Sequence, residues 1–146
     1  MTNPSITIND NKIEFNDGQT LLAVARRNAI DIPTLCHLKG AMPTGACRIC
    51  VVEVQGARTL LASCATPAVA GMQVKTESPA VVEARREILQ LLLGSGNHNC
   101  AAGANNGGEW TSFQMKVQAE DGSSELCPVW SDCRLQDLAY RYQVSV

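Results

Sequence analysis

Cys36, Cys47, Cys50 and Cys64 form the pattern C-x10-C-x2-C-x13-C, and His98, Cys100, Cys127 and Cys133 follow as one imidazole and three thiols. Together they use all seven cysteines of the chain. An odd count does not suit a set of disulfides, whereas thiolates are soft ligands that serve zinc and iron–sulfur clusters equally well. Cys47 and Cys50, three apart in a glycine-rich loop, can point their sulfurs into one space. Gly40 and Gly45 lie in the interval before them and free backbone N–H groups to face sulfide and thiolate. A structural zinc site is usually two compact C-x2-C knuckles, and this pattern has only one short pair. Two lone cysteines on separate elements supply the rest, as a [2Fe–2S] site in a β-grasp domain requires. Zinc, or four unrelated buried thiols, are the competing readings.

The totals narrow the setting. At 146 residues, 45% hydrophobic and 18% charged, the chain has the composition of a soluble globular protein of one medium or two small domains. Aromatics are only 4%, so the core must rest on Ala, Val, Leu and Ile. A net charge of −2 offers no basic footprint for nucleic acid. The first ten residues, MTNPSITIND, have neither a basic nor an apolar segment of a secretory signal, and no apolar run approaches a membrane span. The expected location is the cytoplasm, where thiols stay reduced and seven cysteines point to metal.

The elements that must carry these ligands can be read from periodicity and punctuation. SITIND and KIEFND alternate apolar and polar residues around Asn9-Asp10-Asn11, a β-hairpin signal. GQTLLAVARRNAI reads as a helix with Leu21, Leu22, Val24, Ala25 and Ala29 on one side and Arg26-Arg27 on the other, closed by Pro33. The loop TLCHLKGAMPTGACRIC then carries three of the cysteines. CRICVVEVQG predicts a strand turning at Gln55-Gly56, RTLLASC a returning strand and GMQVKTES a last short one. The order is β-β-α-β-β-β over about residues 3–77. SPAVVEARREILQLLLGSG predicts a helix with Ser78 as N-cap, Pro79 at its first position and Gly94 or Gly96 at its end. CRLQDLAYRYQV predicts a closing helix with Leu135, Leu138, Ala139 and Tyr142 as its apolar stripe. Between them, EWTSFQMKVQAEDGSS fits a short strand or a helix. Trp110, Phe113 and Trp130 read as packing residues, with partner docking around Trp110 as the rival role. His37, beside Cys36, is expected to sit next to the ligands or on the surface without joining them, because four thiols already complete that site.

PTLCHL, GACRICVVEV and LASCATP resemble the N-terminal [2Fe–2S] module of the large iron–sulfur subunit of respiratory complex I. They are also similar to the diaphorase iron–sulfur subunit of NAD-reducing [NiFe] hydrogenases, and to the same module in iron-only hydrogenases and NAD-linked formate dehydrogenases. The resemblance covers roughly residues 5–77. The long first interval separates the chain from plant-type ferredoxins, whose first gap is about four residues. The resemblance implies an α+β fold: a β-grasp ferredoxin-like domain over residues 1–78 that passes single electrons, then a small, mainly helical domain over 79–146.

In the same relatives a helix ends at a histidine, and three cysteines follow as C-x2-C-x5-C before a tail like LQDLAYRY. That set holds a [4Fe–4S] cluster. The resemblance therefore implies His98, Cys100, Cys127 and Cys133 as its ligands. His98-Asn99-Cys100 keeps the single-residue gap of the hydrogenase-type subunits. The departure is an insertion at about 101–126, twenty-six residues where the family has two. Loop closure cost grows slowly with length, so the insertion is tolerable. Zinc at His98 and the three thiols, or a plain helix-end histidine, are the alternatives at this site.

No dinucleotide or phosphate-binding glycine motif and no Ser-His-Asp set accompanies these ligands. The expected role is a relay rather than a catalyst, carrying single electrons between a flavin-bearing NAD(P)H subunit and a catalytic subunit. A free diffusing ferredoxin is the rival, and a zinc-holding structural protein a third possibility. Diffusing carriers gain on-rate from a strong field of one sign, which a net charge of −2 with Arg26, Arg27, Arg85 and Arg86 scattered along the chain does not supply. The further C-x2-C-x2-C-x3-C motifs of many relatives do not follow Cys133, and the expectation is a minimal subunit whose downstream clusters reside on another polypeptide.

Overall fold

The computed structural model describes residues 3–38, 40–95 and 133–144. Strands β1 (Ser5–Ile8) and β2 (Asn11–Glu14) form the expected hairpin, with Ile8 opposite Asn11. Its two-residue turn is Asn9-Asp10, both at positive φ, 48° and 68°, the geometry of a type I′ turn. Strand β1 alternates, and Ile6 and Ile8 enter the core. The sheet is mixed, in the order β2-β1-β5-β3-β4, where β3 is Val51–Val54, β4 Leu61–Ala62 and β5 Gln73–Lys75. Strand β5 returns to lie parallel to β1, and the remaining pairs are antiparallel.

Asn9 secures that return. Its side-chain amide donates to Thr76 Oγ1 at 2.7 Å and accepts from the Thr76 N–H at 3.0 Å. Thr76 is buried, so truncating Asn9 strands two polar groups. Asn9→Ala also places alanine at a φ that asparagine tolerates better. It is expected to cost about 1–3 kcal/mol in urea unfolding.

Helix α1 (Leu21–Arg27) starts at Thr20, whose hydroxyl accepts from the Ala23 N–H at 3.2 Å. Leu21, Leu22, Val24 and Ala25 pack against Ile6, Ile8, Phe15, Val52 and Val74 in the main core. The stretch predicted as helix runs on to Ile30, three residues past the end of α1. Asn28 caps it, and Ala29 follows at φ 56°, exposed rather than on the apolar stripe. The stop comes from Asn28, whose side chain donates to the Val24 carbonyl at 2.8 Å, well before Pro33.

Helix α2 (Pro79–Gly94) begins as predicted, with Ser78 Oγ accepting from the Val81 N–H. Helix α3 (Arg134–Arg141) buries Leu138, Ala139 and Tyr142, with Leu135 half-buried. Both helices join a second apolar cluster around Ile49, Leu89, Leu138 and Tyr142, against which Leu35 and Cys47 pack. Val51 and Val52 point to opposite faces of β3, yet both are buried, because α2 covers the face that α1 does not. Among the described residues no helix is long and apolar enough to cross a membrane.

Candidate iron–sulfur site

The loop before β3 and the turn after β4 bring Cys36, Cys47, Cys50 and Cys64 together as two neighbouring pairs. Cys36 and Cys47 make the outer pair: the Cys47 N–H donates to Cys36 Sγ at 3.5 Å. That N–H, with help from the Cys47 thiol, the Ala46 N–H and the Thr44 hydroxyl, lowers the Cys36 pKa against the opposing effect of burial. Cys36 is exposed and Cys47 half-buried. Cys50 and Cys64 make the inner pair, each 1% exposed within the main core.

Two local devices shape this loop. Gly45 sits at φ 64°, and a Cβ there would lie 3.5 Å from the Ala62 Cβ and 3.6 Å from that of Ala65. The loop therefore presses on β4 and the turn beyond it, and the Gly45 backbone reaches Cys64. Ser63 fixes the inner pair: its hydroxyl donates to the Cys50 carbonyl at 2.7 Å and its N–H to the same oxygen at 3.1 Å. The Leu22 N–H in turn donates to the Ser63 carbonyl at 3.0 Å, tying the site to α1. Sequence reading passed over Ser63, and only its place beside Cys64 could have flagged it. His37 is half-buried beside the loop, and its Nδ1 is buried with no hydrogen-bond partner among the described residues.

Burial, reinforced by the neighbouring Cys50 thiol, pushes Cys64 up to about 11 from an ordinary 9.0. The folded, cluster-free chain thus holds this proton more tightly than the unfolded chain does. The stabilisation is complete below about pH 9 and is lost as the pH rises from 9 towards 11. Urea unfolding of the cluster-free chain is expected to weaken over that window by a magnitude on the order of 2 kcal/mol. Cys64→Ala should flatten the slope.

Four soft thiols in two pairs, with backbone N–H groups aimed at sulfur, suit a cluster of two irons, each taking two thiolates. Among the described residues no three Cys, His, Asp or Glu side chains gather around a single-ion position. Of the second predicted set only Cys133 is described. It is half-buried and extended, φ −129° and ψ 110°, at the N-cap of α3. His98, Cys100 and Cys127 lie outside the described residues, as do the 101–126 insertion, Trp110, Phe113 and Trp130.

Arg85, counted from the sequence among scattered charges, is instead fully buried. Its Nη1 pairs with Glu77 Oε1 at 2.7 Å.

A mixed sheet with a helix on each face, and four cysteines supplied by the loop before β3 and the turn after β4, is an α+β ferredoxin-like arrangement. The chain belongs to the 2Fe-2S iron-sulfur cluster binding domain family, whose model matches residues 3–79. It is 40% identical over 121 residues to an NADH-quinone oxidoreductase subunit of Rhizobium meliloti, covering 83% of this chain and 14% of that protein. It is 38% identical to the gamma subunit of the NAD-reducing hydrogenase HoxS of Cupriavidus necator, covering 65% of this chain and 40% of that one. Among solved structures, an NAD+-reducing [NiFe]-hydrogenase in the H2-reduced state aligns with 99% of this chain and 51% of its own, at TM-score 0.74 and 32% identity. The chain spans less than half the length of these two curated relatives.

Proposed function

We propose that this chain is an electron-transfer module of an NAD(P)H-linked oxidoreductase. In this reading Cys36, Cys47, Cys50 and Cys64 hold a [2Fe–2S] cluster in a β-grasp domain. His98, Cys100, Cys127 and Cys133 hold a [4Fe–4S] cluster within residues 79–146. Such clusters supply reversible one-electron oxidation and reduction. The chain contributes position, burial and hydrogen bonding.

The observation that carries the reading is the four-thiol site divided between core and surface. Cys50 and Cys64 anchor it where Ile and Val side chains exclude water, while Cys36 stays at the surface, within reach of a docked subunit. Leu38 and Met42, 68% and 89% exposed on the same loop, offer that subunit an apolar rim. Arg134 Nε donates to the Thr34 carbonyl at 3.0 Å, which ties the residue after Cys133 to a group two positions before Cys36. That contact supports two sites acting as consecutive stops. The proposed partners are a flavin-bearing NAD(P)H subunit and a catalytic subunit, in the cytoplasm. The named relatives are subunits of NAD-linked enzymes, which favours a fixed subunit over a diffusing carrier.

Anaerobic purification with iron, sulfide and reduced EPR analysis tests the reading. The expected result is about six irons per chain in a two-iron and a four-iron signal, with a flavoprotein co-purifying. A colourless, iron-free chain, or zinc in place of iron, overturns it.

A further inference from the structure

We propose that Arg85 is a positioning residue for the [2Fe–2S] site: it clamps the backbone on both sides of Cys50 to α3, and its charge raises the reduction potential there. This rests on the reading of Cys50 as a cluster ligand. Arg85 leaves α2 with its guanidinium 0% exposed. Its Nε donates to the Ile49 carbonyl at 3.0 Å and its Nη2 to the Val51 carbonyl at 2.8 Å. Its Nη1 donates to Glu77 Oε1 at 2.7 Å and to the Tyr142 hydroxyl at 2.6 Å. One planar fork thus grips the residues before and after Cys50 with two nitrogens, and the C-terminal helix with the third.

A buried cation of this kind is not explained by stability alone. Desolvating a guanidinium is costly, and an apolar residue of similar volume often serves as well or better. The particular use of arginine is its fixed fork, which lysine cannot reproduce. The Nε bond falls on the peptide that carries the Cys50 N–H, and hydrogen bonds in series polarise one another in a low dielectric. Tyr142 completes the clamp: its ring lies 5.7 Å from the Arg85 guanidinium and 5.4 Å from that of Arg141, and its carbonyl accepts from Arg86 Nε at 2.9 Å. Glu77 is 43% exposed and meets the guanidinium at Nη1, while Nε and Nη2 are turned to the Ile49 and Val51 carbonyls that flank Cys50. Reduction adds a negative charge to the site, so a nearby buried cation favours the reduced state.

The test is an anaerobic, EPR-monitored redox titration of the [2Fe–2S] signal in the full chain. Arg85→Met is expected to lower the midpoint, shifting the one-electron equilibrium up to about tenfold, which corresponds to about 59 mV. Arg85→Lys should restore part of the shift, because it keeps the charge and loses the fork. Glu77→Gln removes the compensating carboxylate and should move the midpoint upward. A purely structural clamp predicts no such opposition of sign, since both substitutions would loosen the same contacts. Midpoints that stay at the wild-type value, or that move in one direction for both substitutions, overturn the proposal. Should Arg85→Met fail to retain iron, the sign of the Glu77→Gln shift decides alone: upward supports the proposal, and zero or downward overturns it. A wild-type chain without a [2Fe–2S] signal would instead sink the site reading itself, before any variant is compared.

Discussion

Cys50→Ser is expected to abolish the reduced [2Fe–2S] EPR signal and to lower the thermal midpoint of the N-terminal half by more than about 10 °C. The size of the effect follows from where Cys50 sits. Its thiol is 1% exposed, inside the same apolar cluster as Ile6, Leu22 and Val52. Serine there exchanges a soft thiolate for a hard, weakly acidic hydroxyl, and leaves that hydroxyl in the core without an assigned partner. Binding energy of a group that only the folded chain can hold is folding energy, so the loss of the cluster appears as a loss of stability. Cys36→Ser is the informative contrast. Cys36 is exposed, and a serine oxygen there can still accept from the Cys47 N–H. Its expected stability cost is the smaller of the two. An unchanged EPR spectrum in Cys50→Ser would remove Cys50 from the ligand set.

What could be read in advance divides along physical lines. Signals carried within a few residues were legible: the Asn9-Asp10 turn, the Ser78-Pro79 helix start, and the apolar stripe of Leu135, Leu138 and Tyr142. The C-x2-C pair with two outlying cysteines marked a candidate site because ligand chemistry constrains spacing. Signals that depend on distant partners were not legible. Arg85 and Arg86 look like a solvated helix face until Ile49, Val51 and Tyr142 arrive from segments more than thirty residues away. The split of the thiols into a buried pair and a more accessible one depends on how β4 returns beside the loop, which no local pattern encodes. Ala29 was misplaced for a related reason. Its helical spacing continued the stripe, but the Asn28 side chain had already turned the chain at the Val24 carbonyl.

Cys133→Ser is expected to remove about four irons per chain while the two-iron signal persists. The separation rests on how α3 is held. Its anchors are Tyr142, bonded by Arg85 and Arg86, and Arg134, bonded to the Thr34 carbonyl. Arg141 adds an ion pair with Asp31. None of these contacts uses the Cys133 side chain, and the N-cap itself makes no side-chain hydrogen bond. Serine at an N-cap is favourable in its own right, so the substitution removes a ligand without unseating the helix. His98→Cys tests the opposite end of the same proposed set: the four-iron signal should survive with a shifted potential, because a thiolate replaces a neutral imidazole and adds a negative charge to the cluster environment. Iron analysis with EPR of both variants reads the outcome. If Cys133→Ser leaves the iron content whole, the second site does not include Cys133; if it erases the two-iron signal as well, the two sites are one folding unit rather than two separable stops.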